Sequence, residues 1–508
     1  MANLTLELEA ERKKICQIAK NCGLDFFDTV FELINYDQIS QIASYGGFPV
    51  RYPHWKFGME YEQLSKSYEY GLSKIYEMVI NTDPCYAYLM EGNSHMDQKL
   101  VMAHVYGHAD FFKNNVWFSK TNRKMIDQMA THASRVRRYV DLYGHEEVEK
   151  FIDICLSLEN LIDRHDVLNG PAKTNSVPAP VKKENFLFEV EKSYMKNYIN
   201  PPAAVADQKL RSIEKASQKT VFPATPQRDV LSFLIGHAPL KDWQQDILTI
   251  IRDEAYYFAP QGMTKTLNEG WASYWHSHMM TRHILNDSEI IDFADHHAGT
   301  TFMQMGGYNP YKVGIELFRD IEERWNKGQF GREFDECDDV RERKNWNKNT
   351  KLGREKIFEI RKIYNDVTFI DEFLTEDFCV RNKMFVYKMN KDTNRFEVDT
   401  RDFKAIKAQL LFQMTNFGQP IIKIENANFE NKGELLLHHV HEGLDLQPNY
   451  MDATMQNLYK LWKKPVNMIT TMDSDPQLFR FDGNEYTKHS LSNEKKPGGG
   501  EQQELPKA

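Results

Sequence analysis

The chain has 508 residues, and at roughly 150 residues per domain this length predicts several domains that can bury their own cores. It carries 64 Lys and Arg against 73 Asp and Glu, a net charge of −9. This balance argues against nucleic acid or an anionic membrane surface as a partner. The 6 cysteines are too sparse for a disulfide framework, so we expect a reducing compartment.

The opening residues, MANLTLELEAERKK, mix acidic and basic side chains where a secretory signal would need an apolar core. No stretch elsewhere approaches the roughly 18 uncharged apolar residues that span a bilayer. We therefore expect a soluble, cytoplasmic protein without a membrane span.

Helical periodicity dominates the first part of the chain. Residues 5–165 show apolar spacings of three and four, and a Pro-rich loop follows near residues 170–228. The helical pattern resumes over residues 229–286 and predicts two further helices within residues 288–330. We expect a predominantly α-helical N-terminal domain over residues 1–374.

After about residue 375 the periodicity changes to that of strands. The order β-β-α-β-β-α-β-β predicts a smaller α+β C-terminal domain over residues 375–483. One of its strands carries His438, His439 and His441, which we expect at the surface. Residues 484–508 are of low complexity and rich in Gly and Lys, a composition that predicts a disordered tail.

His104 and His108 lie four residues apart in a predicted helix. They therefore project from one face, where two imidazoles can hold one divalent ion. The alternative is a pair of hydrogen-bonded histidines in a helical core. The peptidase motif H-E-x-x-H places its general base directly after the first His, and Val105 stands there instead.

A second helix offers a carboxylate and another imidazole. Glu269 and His276 are seven residues apart, so they share a helix face. Some helical zinc peptidases pair their histidine helix with a later E-G-W-A helix whose Glu is the third ligand, and Glu269 begins such a sequence. We expect zincin-like helical site geometry in which His104, His108 and Glu269 bind a divalent metal, Zn²⁺, with His276 as fourth ligand or as a supporting group. The alternative for Glu269 is a carboxylate that stabilises a helix N-terminus.

Hydrolysis at such a site would use water activated by the ion. Glu254 and Tyr257, three residues apart on the preceding helix, are the predicted catalytic groups that would accept the proton. His297 is a weaker candidate for the same cleft. Phosphate-loop and serine-hydrolase motifs are absent from the sequence.

Several long motifs resemble, in the same order, the SpoVR-like (stage V sporulation protein R) family. They are YPHWKFG at 52–58, YEMVINTDPCYAYL at 76–89, AHVYGHADFFKNN at 103–115, YFAPQ at 257–261, NEGWA at 268–272 and NPY at 309–311. The resemblance runs from about residue 5 to 480; Met59 departs from it by replacing the usual Lys. It implies a bacterial cytoplasmic protein linked to spore cortex (peptidoglycan) formation. In non-sporulating bacteria it implies a stress-response role beside a PrkA-like serine protein kinase and a YhbH-type protein.

Two functional hypotheses follow. The first is a zinc-dependent hydrolase, lacking the H-E-x-x-H base, that cleaves an amide or peptidoglycan-related bond. The second is a non-catalytic, metal-stabilised adaptor or regulator that works with the PrkA-like kinase system, and the missing peptidase Glu favours it.

Overall fold

The computed structural model describes residues 4–69, 77–165, 221–390 and 395–491. The chain forms two compact units: Met1–Ile152 with Asp253–Gln419, and Asp153–Arg252 with Pro420–Ala508. The predicted domain boundary after residue 374 stays a prediction. The last segment of the first unit ends at Gln419, and the last segment of the second unit begins at Pro420. Most of the Pro-rich loop predicted near 170–228 lies outside the described residues.

The first unit consists mainly of helices. Its helices are α1 (Leu6–Asn21), α2 (Tyr36–Ser44), α3 (Trp55–Glu69), α4 (His95–Asn114), α5 (Met125–Tyr143), most of α6 (His145–Leu156), the end of α8 (Asp242–Met263), α9 (Lys265–Met279), α10 (Ile290–Thr300), α11 (Pro310–Lys327), α12 (Arg332–Asp335), α13 (Val340–Asn345), α14 (Gly353–Ile363), α15 (Asp366–Phe373), α16 (Glu376–Arg381) and α17 (Phe403–Met414). Short 3₁₀ turns cover Val116–Phe118 and Asp287–Glu289, and a π-helical turn covers Met280–Ile284.

A small sheet interrupts the helices of the N-terminal region. Strand β1 (Thr29–Ile34) pairs in parallel with β3 (Cys85–Met90), which pairs antiparallel with β2 (Glu77–Ile80). The helical periodicity of residues 5–165 therefore does not extend over these three strands. Val79, which has a helical spacing in the sequence, pairs with Ala87 on β3, because strand pairing and burial outweigh a weak local pattern.

Three helices at the centre of the first unit approach each other unusually closely. A Cβ atom on Gly107 of α4 would lie 2.7 Å from Ala272 Cα of α9, and one on Gly270 of α9 would lie 2.5 Å from Gly314 Cα of α11. Glycine at Gly107, Gly270 and Gly314 therefore permits backbone contact that a side chain would prevent. These contacts bring α9 between α4 and α11.

A distant carboxylate caps the N-terminus of α9. Asp366 accepts hydrogen bonds from the backbone N–H groups of Thr266, at 2.7 Å, and Leu267, at 2.8 Å. Burial raises the pKa of Asp366 to about 7, although both hydrogen bonds act to lower it. The two hydrogen bonds to Asp366 fix the first turn of α9 to the start of α15.

The second unit contains α7 (Val230–His237), the beginning of α8, α18 (Pro448–Trp462) and a five-stranded sheet of order β10-β9-β8-β7-β6. The strands are β6 (Ile421–Phe429), β7 (Glu434–Val440), β8 (Val466–Met472), β9 (Asp475–Phe481) and β10 (Tyr486–Ser490). Strands β7 and β8 are parallel, as the crossover through α18 requires, and the other pairs are antiparallel.

The predicted fold class is confirmed: a predominantly helical N-terminal region precedes a smaller C-terminal α+β region. The predicted β-hairpin of β4 (Val386–Asn390) and β5 (Arg395–Thr400) belongs to the first unit. Strand β10 lies where we predicted disorder; residues 492–508 are outside the described part of the chain.

His439 is buried and contacts Thr470, so the prediction that it lies at the surface is wrong. Among the described helices, none has the length and apolar composition needed to cross a bilayer.

We predict that Gly270→Ala destabilises the first unit. The added methyl group meets Gly314 backbone, and overpacking of this kind costs about 1–3 kcal/mol. The midpoint of unfolding followed by circular dichroism checks this. Gly58→Ala is the matched control, since Gly58 is a helical glycine where an added methyl group would have no atom within 4 Å; equal effects of the two changes would contradict the packing argument.

Candidate metal centre

Three buried side chains from two helices converge beside the Gly107 contact. His104 and His108 project from α4, and Glu269 projects from the first turns of α9. Glu269 Oε2 lies 3.5 Å from His104 Nε2 and 3.4 Å from His108 Nε2. One ligand atom from each of the three lies within 4.8 Å of the others. The predicted grouping of these residues is present in the fold.

The orientation of both imidazoles suits metal binding. His108 Nδ1 donates to Asn268 Oδ1 at 2.9 Å, and Nε2 is the ring nitrogen that faces Glu269. His104 Nδ1 lies 2.8 Å from His276 Nδ1, so one ring donates to the other. Histidines that bind metals commonly have their second nitrogen held in this way.

His276 therefore supports His104, because its Nδ1 is engaged by the His104 ring. The sequence left open whether His276 is a fourth ligand or a supporting group, and the hydrogen bond favours support. Burial lowers the pKa of His276 well below its ordinary range, and the neighbouring His104 lowers it further. His276 Nε2 is buried without a hydrogen-bond partner among the described residues.

The electrostatics of Glu269 are those of an ionised buried carboxylate. Burial raises its pKa, but interactions with His108, His104 and Lys265 outweigh burial and place the pKa well below the usual range. Lys265 Nζ donates to Glu269 Oε1 at 2.6 Å. Oε2 is buried and receives no hydrogen bond from the described residues, so this oxygen is the one directed toward the histidines.

The donor set fits one zinc ion. Zinc binds His nitrogen and carboxylate oxygen at about 2.0–2.2 Å, so tetrahedral ligands lie about 3.3–3.6 Å apart. The two Nε2–Oε2 distances of 3.5 and 3.4 Å fall in this range. A buried carboxylate oxygen without a hydrogen bond is costly unless a cation or a donor completes it.

A cavity of about 460 Å³ opens over the three donors. It is lined by Met78, Val79, Leu100, Val101, His104, His108, Phe112, Gln261, Lys265, Asn268, Glu269, His276, His296, His297, Thr300 and Tyr311. Glu269 is the single carboxylate in this lining, within the described residues. The Tyr311 ring is stacked against His104 at 6.3 Å, and Lys265 Nζ lies 5.8 Å from the Tyr311 ring.

Sequence reasoning missed Lys265 and Tyr311. Lys265 stands four residues before Glu269, a helical ion-pair spacing that was available in the sequence. Tyr311 belongs to the NPY motif, but its spacing gives no indication that it approaches α4. His297, the weaker candidate from the sequence, lines the cavity, and so does the adjacent His296.

The two predicted catalytic residues are engaged elsewhere. Glu254 accepts from Arg51 Nη2 at 2.6 Å, and its other oxygen lies 3.0 Å from His132 Nδ1. Tyr257 donates to the Asn81 carbonyl oxygen at 3.0 Å, and burial raises its pKa. Neither residue lines the cavity. Both side chains thus have partners away from the cavity, and the catalytic role of Glu254 and Tyr257 stays a prediction.

Two family profiles match consecutive parts of the chain: "SpoVR like protein" at residues 3–419 and "SpoVR-like C-terminal domain" at residues 420–473. The chain belongs to the SpoVR family. The junction of the two profiles coincides with the division of the compact units at Gln419 and Pro420.

One relative of this SpoVR protein is the uncharacterized protein YcgB of Escherichia coli (strain K12). It is 27% identical over 486 residues, which cover 90% of each chain. No solved structure matches the chain. The zincin-like character of the helical site therefore stays a prediction.

We predict that Glu254→Ala destabilises the protein and leaves the metal centre intact. The change leaves the buried Arg51 guanidinium without its carboxylate, a loss that typically costs about 3–5 kcal/mol. Chemical denaturation measures the loss, and elemental analysis of the folded fraction measures zinc. Glu146→Ala, at an exposed pair with Lys150, should have a much smaller effect on stability. Loss of zinc from folded Glu254→Ala protein would show instead that Glu254 serves the metal centre.

Proposed function

We propose that this SpoVR protein is a metal-dependent hydrolase that cleaves an amide or peptidoglycan-related bond in the bacterial cytoplasm. The observation that carries the proposal is the convergence of His104, His108 and Glu269 at zinc-compatible separations on the wall of a cavity. The substrate class rests on the link between the family and spore cortex formation, or a stress response in bacteria that do not sporulate.

Each residue of the centre has a separate task. His104 and His108 would hold the ion through Nε2, and Glu269 would hold it through Oε2. Asn268 and His276 fix the two imidazole rings through their Nδ1 atoms, and Lys265 holds the second Glu269 oxygen. A divalent ion bound there supplies Lewis-acid polarisation of a carbonyl and activation of water.

The acceptor of a proton must face the cavity. Val105 replaces the peptidase base and Glu254 is paired with Arg51, so the candidates are His296, His297 and Tyr311. Burial lowers the pKa of His297, which favours the neutral imidazole that a general base requires.

A divalent ion at this centre would favour an anionic substrate, because Lys265 already neutralises Glu269. Neutral His296 and His297 would each add one N–H donor to the lining. Peptide stems of peptidoglycan precursors carry free carboxylates, which such donors bind. This complementarity supports the proposed substrate class.

The second candidate function is a non-catalytic adaptor or regulator, working with a PrkA-like kinase and a YhbH-type protein. The observation that favours it is the cavity lining itself, in which the described residues provide no carboxylate besides Glu269 to act as a base. In that function the metal would stabilise the contact of α4 with α9.

The proposal predicts that His108→Ala loses one equivalent of zinc per chain. Elemental analysis of purified protein measures this loss, and mass spectrometry of peptidoglycan-derived peptides measures cleavage. His145→Ala is the control, because His145 is exposed on α6. Equal zinc in both variants would overturn the metal centre. Zinc loss from His108→Ala, together with wild-type protein that cleaves no such peptide, would favour the adaptor.

Asn268→Ala should weaken zinc binding without removing a ligand. The change deletes the acceptor that fixes the His108 tautomer, and loss of such a support typically costs about 10–100-fold in metal affinity. Competition with a chromophoric chelator gives the affinity. Gln261→Ala changes another amide in the cavity lining and should leave affinity unchanged; an equal decrease in both variants would contradict the assignment.

A further inference from the structure

A second group of metal-type donors lies in the first unit. Cys22, His278 and His283 place one ligand atom each within 4.8 Å of the others. His276 of the first centre and His278 of this group are two residues apart on α9. Their side chains therefore leave the helix about 200° apart, on nearly opposite sides. We propose that Cys22, His278 and His283 form a second metal site for a thiophilic cation of the Zn²⁺ class. This inference is independent of the proposed hydrolase function.

The end of α1 holds Cys22 in place. The Cys22 N–H donates to the Ile18 carbonyl oxygen at 2.9 Å, and Gly23 follows with a φ of +92°, which ends the helix. Arg354 Nη2 donates to the Cys22 carbonyl oxygen at 3.2 Å. The thiol therefore projects from a backbone that is fixed on both sides.

The π-helical turn explains why the two histidines meet. Residues five apart on a regular α-helix point about 140° away from each other. The turn Met280–Ile284 is wider, closed by a Leu285 N–H to Met280 carbonyl bond of 3.1 Å, and the rings of His278 and His283 are 6.3 Å apart. Such turns are rare and are concentrated at functional sites. Here the turn places two imidazoles beside one thiol.

Two aromatic neighbours hold the His278 ring in place. The ring lies 5.5 Å from Trp275 and stacks on Tyr274 at 6.4 Å.

The chemistry of the three donors selects the cation. Arg354 and Arg282 lie close enough to Cys22 to interact with it electrostatically. The Arg354 guanidinium lies 4.2 Å from the Trp275 ring centroid, and this cation–π contact disperses part of its charge. One thiolate with two imidazoles is a donor set that zinc accepts and that Mg²⁺ and Ca²⁺ do not. Because His283 is exposed, water has access to a fourth position.

Cobalt(II) is the probe that distinguishes this site from the first, because only a thiolate ligand produces a sulfur-to-cobalt charge-transfer band in the near ultraviolet. Full-length protein, reduced and stripped of metal, is titrated with Co²⁺ and then with Zn²⁺. We expect the band in the wild type, its disappearance on zinc addition, and its absence from Cys22→Ser. His283 is exposed, so His283→Ala should fold normally. Its cobalt affinity should fall about tenfold or more, since loss of even a supporting residue lowers metal affinity by at least this factor.

Two controls make the outcome decisive. Cys16→Ser removes another half-buried thiol of α1 and should keep the band. His108→Ala should keep it as well, so failure of the first metal centre and failure of this one give different results. A wild type without the band, a band that persists in Cys22→Ser, or unchanged cobalt affinity in His283→Ala would each overturn the proposal.

Discussion

The close approach of α9 to α4 and α11 is the constraint on which the first unit depends. Gly107 lies between the two histidines of α4, and Gly270 is adjacent to Glu269. Contact of Gly107 with Ala272 therefore sets the distance between the imidazoles and the carboxylate, and contact of Gly270 with Gly314 holds α9 against α11. A larger residue at Gly107 would separate α4 from α9, and with them the donors.

Two buried aspartates hold α9 at this distance. Asp366 caps its first turn, and Asp110 of α4 accepts from Trp271 Nε1 at 2.8 Å and from Arg361 Nη1 of α14 at 2.6 Å. Burial raises the pKa of Asp110 to about 6, even though Arg361 favours the charged form. Such pairs add little net stability over apolar packing, but losing one partner is costly. Their effect is to fix how α4, α9 and α14 are positioned.

Local spacing predicted much of this architecture. His104 and His108 are four residues apart in sequence, and Glu269 and His276 are seven apart, so each pair was predicted on one helix face. The strands of the C-terminal sheet were predicted from apolar patterns with a period of two. The rest depends on partners distant in sequence. Sheet β1-β3-β2 forms through non-local pairing, Asp366 caps a helix about a hundred residues earlier, and Arg51 and His132 reach Glu254 from separate elements. No rule of sequence spacing shows that the Glu254 carboxylate already has Arg51 and His132 as hydrogen-bond partners.

Helix α4 has scarcely any solvent-facing side, since every residue from 98 to 112 is buried. Even its polar members have internal partners: Gln98 donates to the Met90 carbonyl oxygen, and Lys99 pairs with Glu289. A helix of this kind differs from the usual amphipathic one, in which half the positions accept change freely. Helix α4 is therefore expected to have almost no neutral positions under mutation.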